Sequence, residues 1–373
     1  MKKKIALVVS SPKTFKAFYK NHIEKLQEKY DVTLIANFDQ PEPIFDGVKQ
    51  IALNLERKPS IVSDLKALKQ MIDIFKKEKF ILVHSTTPKA GFITQIAGFI
   101  AGVKFRLHIF TGQVWASQSG IKRQALKKID VAIASLATHL LADSESQVEF
   151  LIKESIPVKS KIKVLGNGSI SGVDLNKFTP KDSDSLKSNL NLQNKAFIFL
   201  FIGRLNKDKG IFDLIKSFEI VHSKHPEAAL LIVGSDEENI LPFIQNHVLY
   251  NKSVFYHEAT PRPQDFMAMA DVLCLPSYRE GFGSVIIEAA ACGTPSIGSK
   301  IYGLTDAIED GESGYLFQVG CTESLANKMI YSIENPEALQ QASKYGMQRA
   351  EEKFSDDLSS KLLVNYYQSI LGD

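Results

Sequence analysis

The sequence predicts an α/β protein with two domains, each a doubly wound parallel sheet covered by helices. The chain has 373 residues, which suits two domains of ordinary size. Short apolar runs alternate with longer segments whose apolar residues recur at helical spacing. Glycine-containing turns follow several of the apolar runs. This alternation is typical of parallel sheets, whose ligands bind at the carboxyl ends of the strands.

The first half contains one complete set of alternating elements. Apolar runs predict strands at 5–10, 31–36, 49–53, 80–84, 106–111 and 163–166. Helical spacing predicts helices at 15–29, 62–77, 90–102 and 145–153, the last capped by Ser144. Between them, apolar runs at 131–135 and 140–144 continue the alternation.

The second half repeats the pattern after a glycine-rich and then polar stretch that ends near residue 194. Strands are predicted at 197–202, 230–234, 254–256, 272–276 and 296–298. Helices are predicted at 264–270, 285–292 and 356–371, with others beginning near 212 and 305. We therefore expect domains at 1–180 and 181–354, joined by a linker in the polar stretch.

The composition narrows the class of protein. Apolar residues make up 44% and charged residues 23%, as in globular proteins with sizeable cores. The three cysteines lack metal-ligand spacing, which indicates reduced thiols and a cytoplasmic protein. The first apolar run is too short for a secretory signal, and the longest run, 91–103, is too short to span a membrane. We therefore expect any membrane association to be peripheral.

Basic residues concentrate in the first half. Up to residue 180 there are 28 Lys and Arg against 16 Asp and Glu, whereas the remainder has 17 against 26. One interpretation is an uneven distribution of solvated charge. The other is a first domain that lies on anionic lipid or binds a pyrophosphate-linked acceptor. We do not expect a nucleic-acid partner, because the lysines are spread among helices without an aromatic and basic platform.

A stretch in the second half joins two acidic residues through a glycine turn and a helix start. It contains Glu280, Gly281, Phe282, Gly283, Ser284, Val285 and Glu288. Glycines let the backbone approach a ligand closely, and a helix N-terminus attracts an anion such as phosphate. Glu288 lies inside the predicted helix, where its carboxylate can accept hydrogen bonds from hydroxyl groups such as those of a ribose.

Two cations follow the first strand of the second half. Gly203, Arg204 and Lys209 come directly after 197–202. The guanidinium group of an arginine can bind phosphate oxygens bidentately, and a lysine beside a glycine turn adds a second positive charge. We interpret these residues as a diphosphate clamp, and the alternative is a solvated pair of cations.

Together these segments resemble the retaining glycosyltransferases of family 4. The E-x7-E motif of that family matches Glu280 and Glu288, and the match continues at 270–271, 276–277, 289–295 and 310–314. The resemblance implies the GT-B fold, in which two Rossmann-like domains face a cleft and a terminal helix, here about 355–373, crosses back to the first domain. It also implies that the first domain binds the acceptor and the second binds the nucleotide sugar.

The resemblance also implies roles for single residues of the second domain. Glu280 would contact the hydroxyl groups of the donor sugar, and Glu288 would hold the ribose. Arg204 and Lys209 would stabilise the departing nucleotide diphosphate. The backbone of the loop that includes Ala259 would contact the base.

The first domain resembles the family more loosely. His108 stands where related enzymes have a histidine near the sugar ring, so it is a catalytic candidate; the alternative is a structural histidine. The glycine pair that many members carry after the first strand is missing here. The predicted acceptor contacts are Ser11, Thr14, Thr111, Gln113 and Trp115. With the basic segment 122–128, Trp115 suggests an interfacial patch for a lipid-linked acceptor, as opposed to a solvated basic face.

The resemblance thus implies a retaining glycosyltransferase of bacterial surface polysaccharides such as O-antigen or capsule. It would move a hexose or N-acetylhexosamine from a UDP-sugar to a polyprenyl-diphosphate-linked or other glycan acceptor, in the cytoplasm at the inner face of the membrane. We expect no metal cofactor, because the D-x-D motif at Asp182 and Asp184 lies in the polar stretch rather than after a strand. The alternatives are a sugar-nucleotide epimerase of the same fold and a non-catalytic sugar-nucleotide-binding subunit.

Overall fold

The computed structural model describes residues 2–38, 43–55 and 60–373, and it divides the chain into two compact units. The first unit runs up to Ser171 and also includes Asp356–Asp373, whereas the second unit is Gly172–Ser355. Each unit contains one parallel sheet with helices around it. The predicted α/β class with two parallel sheets is therefore confirmed.

The described part of the first unit contains a seven-stranded parallel sheet in the order β3-β2-β1-β4-β5-β6-β7. Its strands are β1 (Lys4–Val8), β2 (Asp31–Ala36), β3 (Lys49–Ala52), β4 (Leu82–Thr86), β5 (Phe105–Phe110), β6 (His139–Ala142) and β7 (Ile162–Val164). The helices between them are α1 (Pro12–Phe18), α2 (Lys20–Lys29), α3 (Ile61–Glu78), α4 (Pro88–Ile100), α5 (Gly120–Leu136) and α6 (Glu145–Lys153). Ser144 caps α6 as predicted, since its hydroxyl oxygen accepts a hydrogen bond of 3.2 Å from the backbone N–H of Gln147.

Both faces of this sheet are buried, which explains the nearly continuous apolar runs of its strands. Ile5 and Leu7 of β1 pack on the side of α1 and α2, whereas Ala6 and Val8 pack on the side of α3 and α4. This assignment follows from the strand geometry, in which successive side chains point to opposite faces.

Two predicted segments differ in the structure. The helix predicted at 15–29 is two helices, α1 and α2, which meet at Tyr19. Tyr19 leaves the helical conformation, at φ −120° and ψ 2°, and its buried hydroxyl hydrogen-bonds with that of Thr86. The apolar run at 131–135 lies in α5, because it continues the helical spacing of Leu126 and Ile129.

The described part of the second unit contains a six-stranded parallel sheet in the order β10-β9-β8-β11-β12-β13. Its strands are β8 (Phe197–Ile202), β9 (Ala228–Val233), β10 (Val254–His257), β11 (Val272–Leu275), β12 (Ser296–Ser299) and β13 (Gly314–Phe317). Its helices are α7 (Asp184–Asn189), α8 (Ile211–Lys224), α9 (Leu241–Gln245), α10 (Pro263–Met269), α11 (Ser284–Ala291), α12 (Leu304–Ala307), α13 (Thr322–Glu334) and α14 (Pro336–Phe354).

The strand order of the second sheet reverses between β8 and β11, which pair directly through Phe199 and Val272. The loops that follow these two strands therefore leave the same edge of the sheet side by side. In open parallel sheets a ligand binds at such a reversal point, outside the carboxyl ends of the strands. The topology thus predicts where the second unit holds its ligand.

The last helix, α15 (Asp356–Leu371), coincides with the predicted terminal helix and belongs to the first unit, where it packs on α2. Two buried hydrogen bonds attach it there. The Nδ1 atom of His22 lies 2.8 Å from the hydroxyl of Ser360, and the Nδ1 atom of His84 lies 2.6 Å from the hydroxyl of Tyr367. Because buried polar groups need partners, these bonds favour one position of α15 on the unit.

Candidate functional site

The loops after β8 and β11 hold most of the residues predicted in the second unit. The first loop is 203–210 and ends in the single helical turn Lys207–Lys209, and the second loop is 276–283. Arg279 joins them, because its Nη2 atom lies 3.1 Å from Oδ2 of Asp208. The backbone N–H of Tyr278 also donates to the carbonyl of Asp208, at 2.8 Å. The two loops are therefore fixed to each other before any ligand binds.

Lys209 and Glu280, one from each loop, form an ion pair with Nζ 2.5 Å from Oε1. Their side chains are only 18% and 13% exposed, so solvent screens the pair less than it would at the surface. The hydroxyl of Ser277 donates to the same oxygen of Glu280 at 2.8 Å. The structure thus brings together two residues that the sequence analysis placed in one site, and it orients the carboxylate.

Arg204 lies at the surface of the same edge. Its Nη1 atom is 2.9 Å from Oε2 of Glu237, and its side chain is 53% exposed. Glu237 belongs to the loop after β9, whose backbone bonds to Leu205 hold that loop against the loop after β8. Since an exposed ion pair contributes little to stability, a ligand can replace Glu237 at the guanidinium group at small cost.

The Glu280 loop leads directly into α11. Gly283 precedes the helix in the left-handed region, at φ +84°, and Ser284 and Val285 are partly exposed at its first turn. The side chain of Phe282 is 2% exposed and packs against Phe354. A ligand at this edge of the sheet can therefore contact Phe282 only through its backbone, and the role of Phe282 in donor binding stays a prediction.

Glu288 lies one turn inside α11 and is partly buried. Burial raises the pKa of its carboxyl to about 7, against a weaker opposing effect of the Lys177 ammonium group. Glu288 is therefore a carboxyl group that changes its charge near neutral pH. Ala259 lies in the loop after β10 at the same edge of the sheet and is exposed, as a backbone contact for a ligand requires.

The structure does not support a catalytic role of His108. Its side chain is 2% exposed, on the face of the first sheet that α4 and α5 cover, and its Nδ1 atom is 2.9 Å from the hydroxyl of Ser85. A Cβ atom added to Gly91 of α4 would lie 2.4 Å from its ring. Burial lowers the pKa of His108 to about 3, so the ring stays neutral. This corrects the prediction in favour of a structural histidine.

Trp115 also lies in the core rather than at an interface. It is 1% exposed, its ring stacks on Phe150 at 5.3 Å between centroids, and its Nε1–H donates to Asp130 at 2.7 Å. The basic side chains of Arg123 and Lys127 lie against the ring. The interfacial interpretation of Trp115 is therefore wrong. Its ring is buried and its N–H is already hydrogen-bonded inside the unit, so the side chain is not exposed to a membrane surface.

The other predicted acceptor residues lie at the carboxyl edge of the first sheet. Ser11 precedes α1, and Thr14 lies within it; both are partly exposed, as is Thr111 after β5. Gln113 is 1% exposed, and its Oε1 atom accepts a hydrogen bond of 3.2 Å from Gln147. In this conformation the side chain of Gln113 is therefore buried against α6 rather than available to an acceptor.

Sequence reasoning missed the supporting residues of the site. Ser277 stood in a matched segment, but nothing in its spacing indicated a bond to Glu280. The pairing of Asp208 with Arg279 spans 71 residues, so no local pattern could reveal it. A predicted pairing of β8 with β11 would have placed their loops side by side, and it is the one signal that could have indicated this contact.

Among residues 2–38, 43–55 and 60–373, no group of three or more histidine, cysteine or acidic side chains is placed to hold a metal ion. In the same part of the chain, none of the helices combines the length and apolarity that crossing a membrane requires.

Two protein families match this chain. Residues 182–349 match the family described as glycosyl transferases group 1, and residues 21–168 match the glycosyl transferase 4-like domain. The two matches correspond to the second and first units.

Similar proteins and structures include carbohydrate enzymes. The capsular polysaccharide biosynthesis glycosyltransferase CapM of Staphylococcus aureus is 32% identical, over 95% of this chain and 94% of that protein. The UDP-Gal:alpha-D-GlcNAc-diphosphoundecaprenol alpha-1,3-galactosyltransferase of Escherichia coli is 28% identical, over 81% of this chain and 80% of that protein. The crystal structure of Anabaena Alr3699/HepE in complex with UDP has a TM-score of 0.80 at 19% identity, covering 99% of this chain and 100% of that one. The structural likeness supports the fold.

Proposed function

Because the chain belongs to the family 4 glycosyltransferases, which have the GT-B fold, we propose that it transfers a hexosyl or N-acetylhexosaminyl group from a UDP-sugar with retention of configuration. The acceptor is a lipid-linked or other growing surface glycan of the capsule or O-antigen type. The observation that carries the proposal is the Lys209–Glu280 contact at the reversal point of the second sheet, with Arg204 at the same edge.

The names of the similar proteins support the choice of substrates. The capsular relative builds a polysaccharide, and the galactosyltransferase uses UDP-galactose and a diphosphoundecaprenol-linked sugar. The Anabaena structure holds UDP. In this chain a nucleotide diphosphate fits the cationic loop after β8, and the basic surplus of the first half suits an acceptor that carries a pyrophosphate.

The proposed reaction breaks the bond between the anomeric carbon and the UDP oxygen. Arg204, Lys209 and the first backbone N–H groups of α11 stabilise the charge that develops on the diphosphate. These groups supply the positive charge without a metal ion. Glu280, held by Lys209 and Ser277, contacts the sugar hydroxyls as the oxocarbenium ion forms.

The acceptor hydroxyl forms the new bond on the face from which UDP leaves, and the departing phosphate oxygen takes its proton. Glu288 accepts hydrogen bonds from the ribose in this proposal.

We further propose that the first unit binds an anionic membrane on the cytoplasmic side. Ile61, Val62 and Leu65 on the first turns of α3 are 81%, 80% and 61% exposed, and Ile121 at the start of α5 is 89% exposed. Both helices begin at the carboxyl edge of the first sheet, where the predicted acceptor residues lie. Exposed lysines of the same helices suit anionic headgroups next to these apolar side chains.

Arg204→Ala should weaken UDP binding at least tenfold, since the diphosphate loses a bidentate cation worth about 1.5–3 kcal/mol. It should also lower kcat/KM for transfer roughly a hundredfold, assayed in EDTA. Lys207→Ala, which removes a neighbouring exposed cation, should change both values less than about twofold. Calorimetric titration with UDP and assays of sugar transfer measure the two effects.

Equal losses of UDP affinity and of kcat/KM in the two variants would show that any nearby positive charge has the same effect, which would contradict a specific diphosphate clamp. Release of an epimerised nucleotide sugar without acceptor would instead favour the epimerase, and unchanged transfer by Arg204→Ala would contradict the proposed mechanism.

UDP affinity should rise as the pH rises from 6 to 8. The pKa of Glu288 in the free protein is about 7, so ribose binding to the carboxylate must first remove a proton at pH 6 but not at pH 8. Glu288→Gln should remove this part of the pH dependence, leaving only the titration of the UDP phosphate. Titration calorimetry over this pH range measures the UDP affinity of the parent protein and of the variant. Identical pH dependence of the two affinities would rule out the ribose contact.

Ile61→Asp should reduce co-sedimentation with vesicles that contain anionic phospholipid by several-fold, because it places a carboxylate in the apolar contact. Val248→Asp is the matched control, since Val248 is 73% exposed on the second unit. No sedimentation of the parent protein, or equal loss in both variants, would contradict the proposed membrane surface.

A further inference from the structure

Arg349, on α14, is a buried arginine about seventy residues beyond the Glu280 loop in sequence. It is 8% exposed, and all three nitrogen atoms of its guanidinium group donate hydrogen bonds. Nη1 donates to the carbonyl of Ala307 at 2.7 Å, Nη2 to the carbonyl of Asp306 at 2.6 Å, and Nε to the carboxylate of Glu309 at 2.8 Å. The guanidinium group therefore binds the last two residues of α12 and also Glu309, which lies two residues beyond the helix.

The position of α12 depends on these bonds. The helix has only four residues, Leu304–Ala307, and a helix this short is not stable by itself. Its last carbonyl groups have no partner within the helix and need donors from elsewhere. Arg349 supplies two such donors and adds a positive charge at the C-terminal end, where the helix dipole favours it.

The other end of α12 lies directly behind the Glu280 loop. A Cβ atom added to Gly303, the residue before α12, would lie 2.6 Å from the carbonyl oxygen of Gly281. A Cβ atom added to Gly283 would lie 2.5 Å from the Cδ2 atom of Leu304. The turn from Glu280 to Gly283 therefore rests on α12, and a shift of α12 would move or loosen it.

A second chain of contacts leads from Arg349 to the same turn. Its guanidinium carbon is 4.7 Å from the centroid of the Phe354 ring. Phe354 in turn packs on Phe282 at 5.3 Å between centroids, and both rings are 2% exposed or less. Phe282 lies two residues after Glu280, so both paths end at one short segment of backbone.

We infer that Arg349 is a positioning residue for Glu280, acting through α12 and through Phe354. It fixes the backbone of the turn, and the turn presents the carboxylate to Lys209 and to the donor sugar. The inference rests on the proposed transfer reaction for its catalytic consequence. Its structural part concerns the free protein and can be tested whatever the substrate is.

A lysine cannot replace Arg349 in this role. Its single ammonium group keeps the charge and can reach one or two acceptors, but it lacks the planar fork that serves three acceptors at once. Arg349→Lys therefore keeps the residue basic while it removes the grip on α12. Phe354→Leu is a second variant, which keeps an apolar side chain but breaks the ring contact with Phe282.

Hydrogen–deuterium exchange of the free protein tests the structural part. Arg349→Lys should raise the exchange rate of peptides that cover 278–288 by about tenfold, while peptides that cover 197–206 change less than about twofold. Phe354→Leu should raise exchange in the same segment. Val221→Ala in α8 is the control, because it destabilises the core of the same unit away from the turn.

Assays of transfer test the catalytic part. Arg349→Lys should lower kcat about tenfold and weaken UDP binding by a smaller factor, since UDP lacks the sugar that Glu280 contacts but still binds the first turn of α11. Unchanged exchange at 278–288 in both Arg349→Lys and Phe354→Leu, or an equal increase in Val221→Ala, would overturn the inference. If the parent protein transferred no sugar, the proposed function would be contradicted but the positioning role of Arg349 would not. The exchange data on the free protein would still decide that role.

Discussion

The ion pair between Lys209 and Glu280 is the interaction on which the proposed site depends. It joins the loops after the two central strands of the second sheet, and both side chains are largely shielded from water. Breaking a buried pair by removing one partner costs about 3–5 kcal/mol, and a smaller cost is expected here because some exposure remains. The pair thus holds a carboxylate and an ammonium group in place before the substrate arrives, which is the kind of preorganisation that lowers a barrier to charge separation.

The sheet topology explains why these two loops meet. Neighbouring parallel strands that are far apart in sequence send their following loops to one edge, and the reversal of strand order between β8 and β11 leaves space between them. The rest of the second unit keeps this arrangement rigid. Asp208 and Arg279 tie the loops together, and α12 and α14 support the turn from behind. These supporting contacts fix the positions of Lys209 and Glu280 relative to each other.

The pattern of the sequence predicted two parallel sheets and most of their strands, although β13 (Gly314–Phe317) was not among the predicted strands. The placement of Arg204, Lys209 and the glycine turn after Glu280 at one edge of the second sheet could be predicted, because all of them lie in loops that follow strands. The burial of His108, Trp115 and Phe282 could not be predicted, because a strand or loop pattern does not say which side of a residue another helix covers. Trp115 shows this clearly: its indole N–H donates to Asp130, which lies on α5 and has a carboxyl whose pKa burial raises to about 7.

A structure with UDP bound tests the central claim most directly. We predict that the pyrophosphate lies within hydrogen-bond distance, about 2.7–2.9 Å, of both the guanidinium group of Arg204 and the ammonium group of Lys209, next to the first turn of α11. Arg204 should then have left Glu237, its partner in the free protein. A pyrophosphate bound elsewhere, with Arg204 still paired to Glu237, would contradict the account.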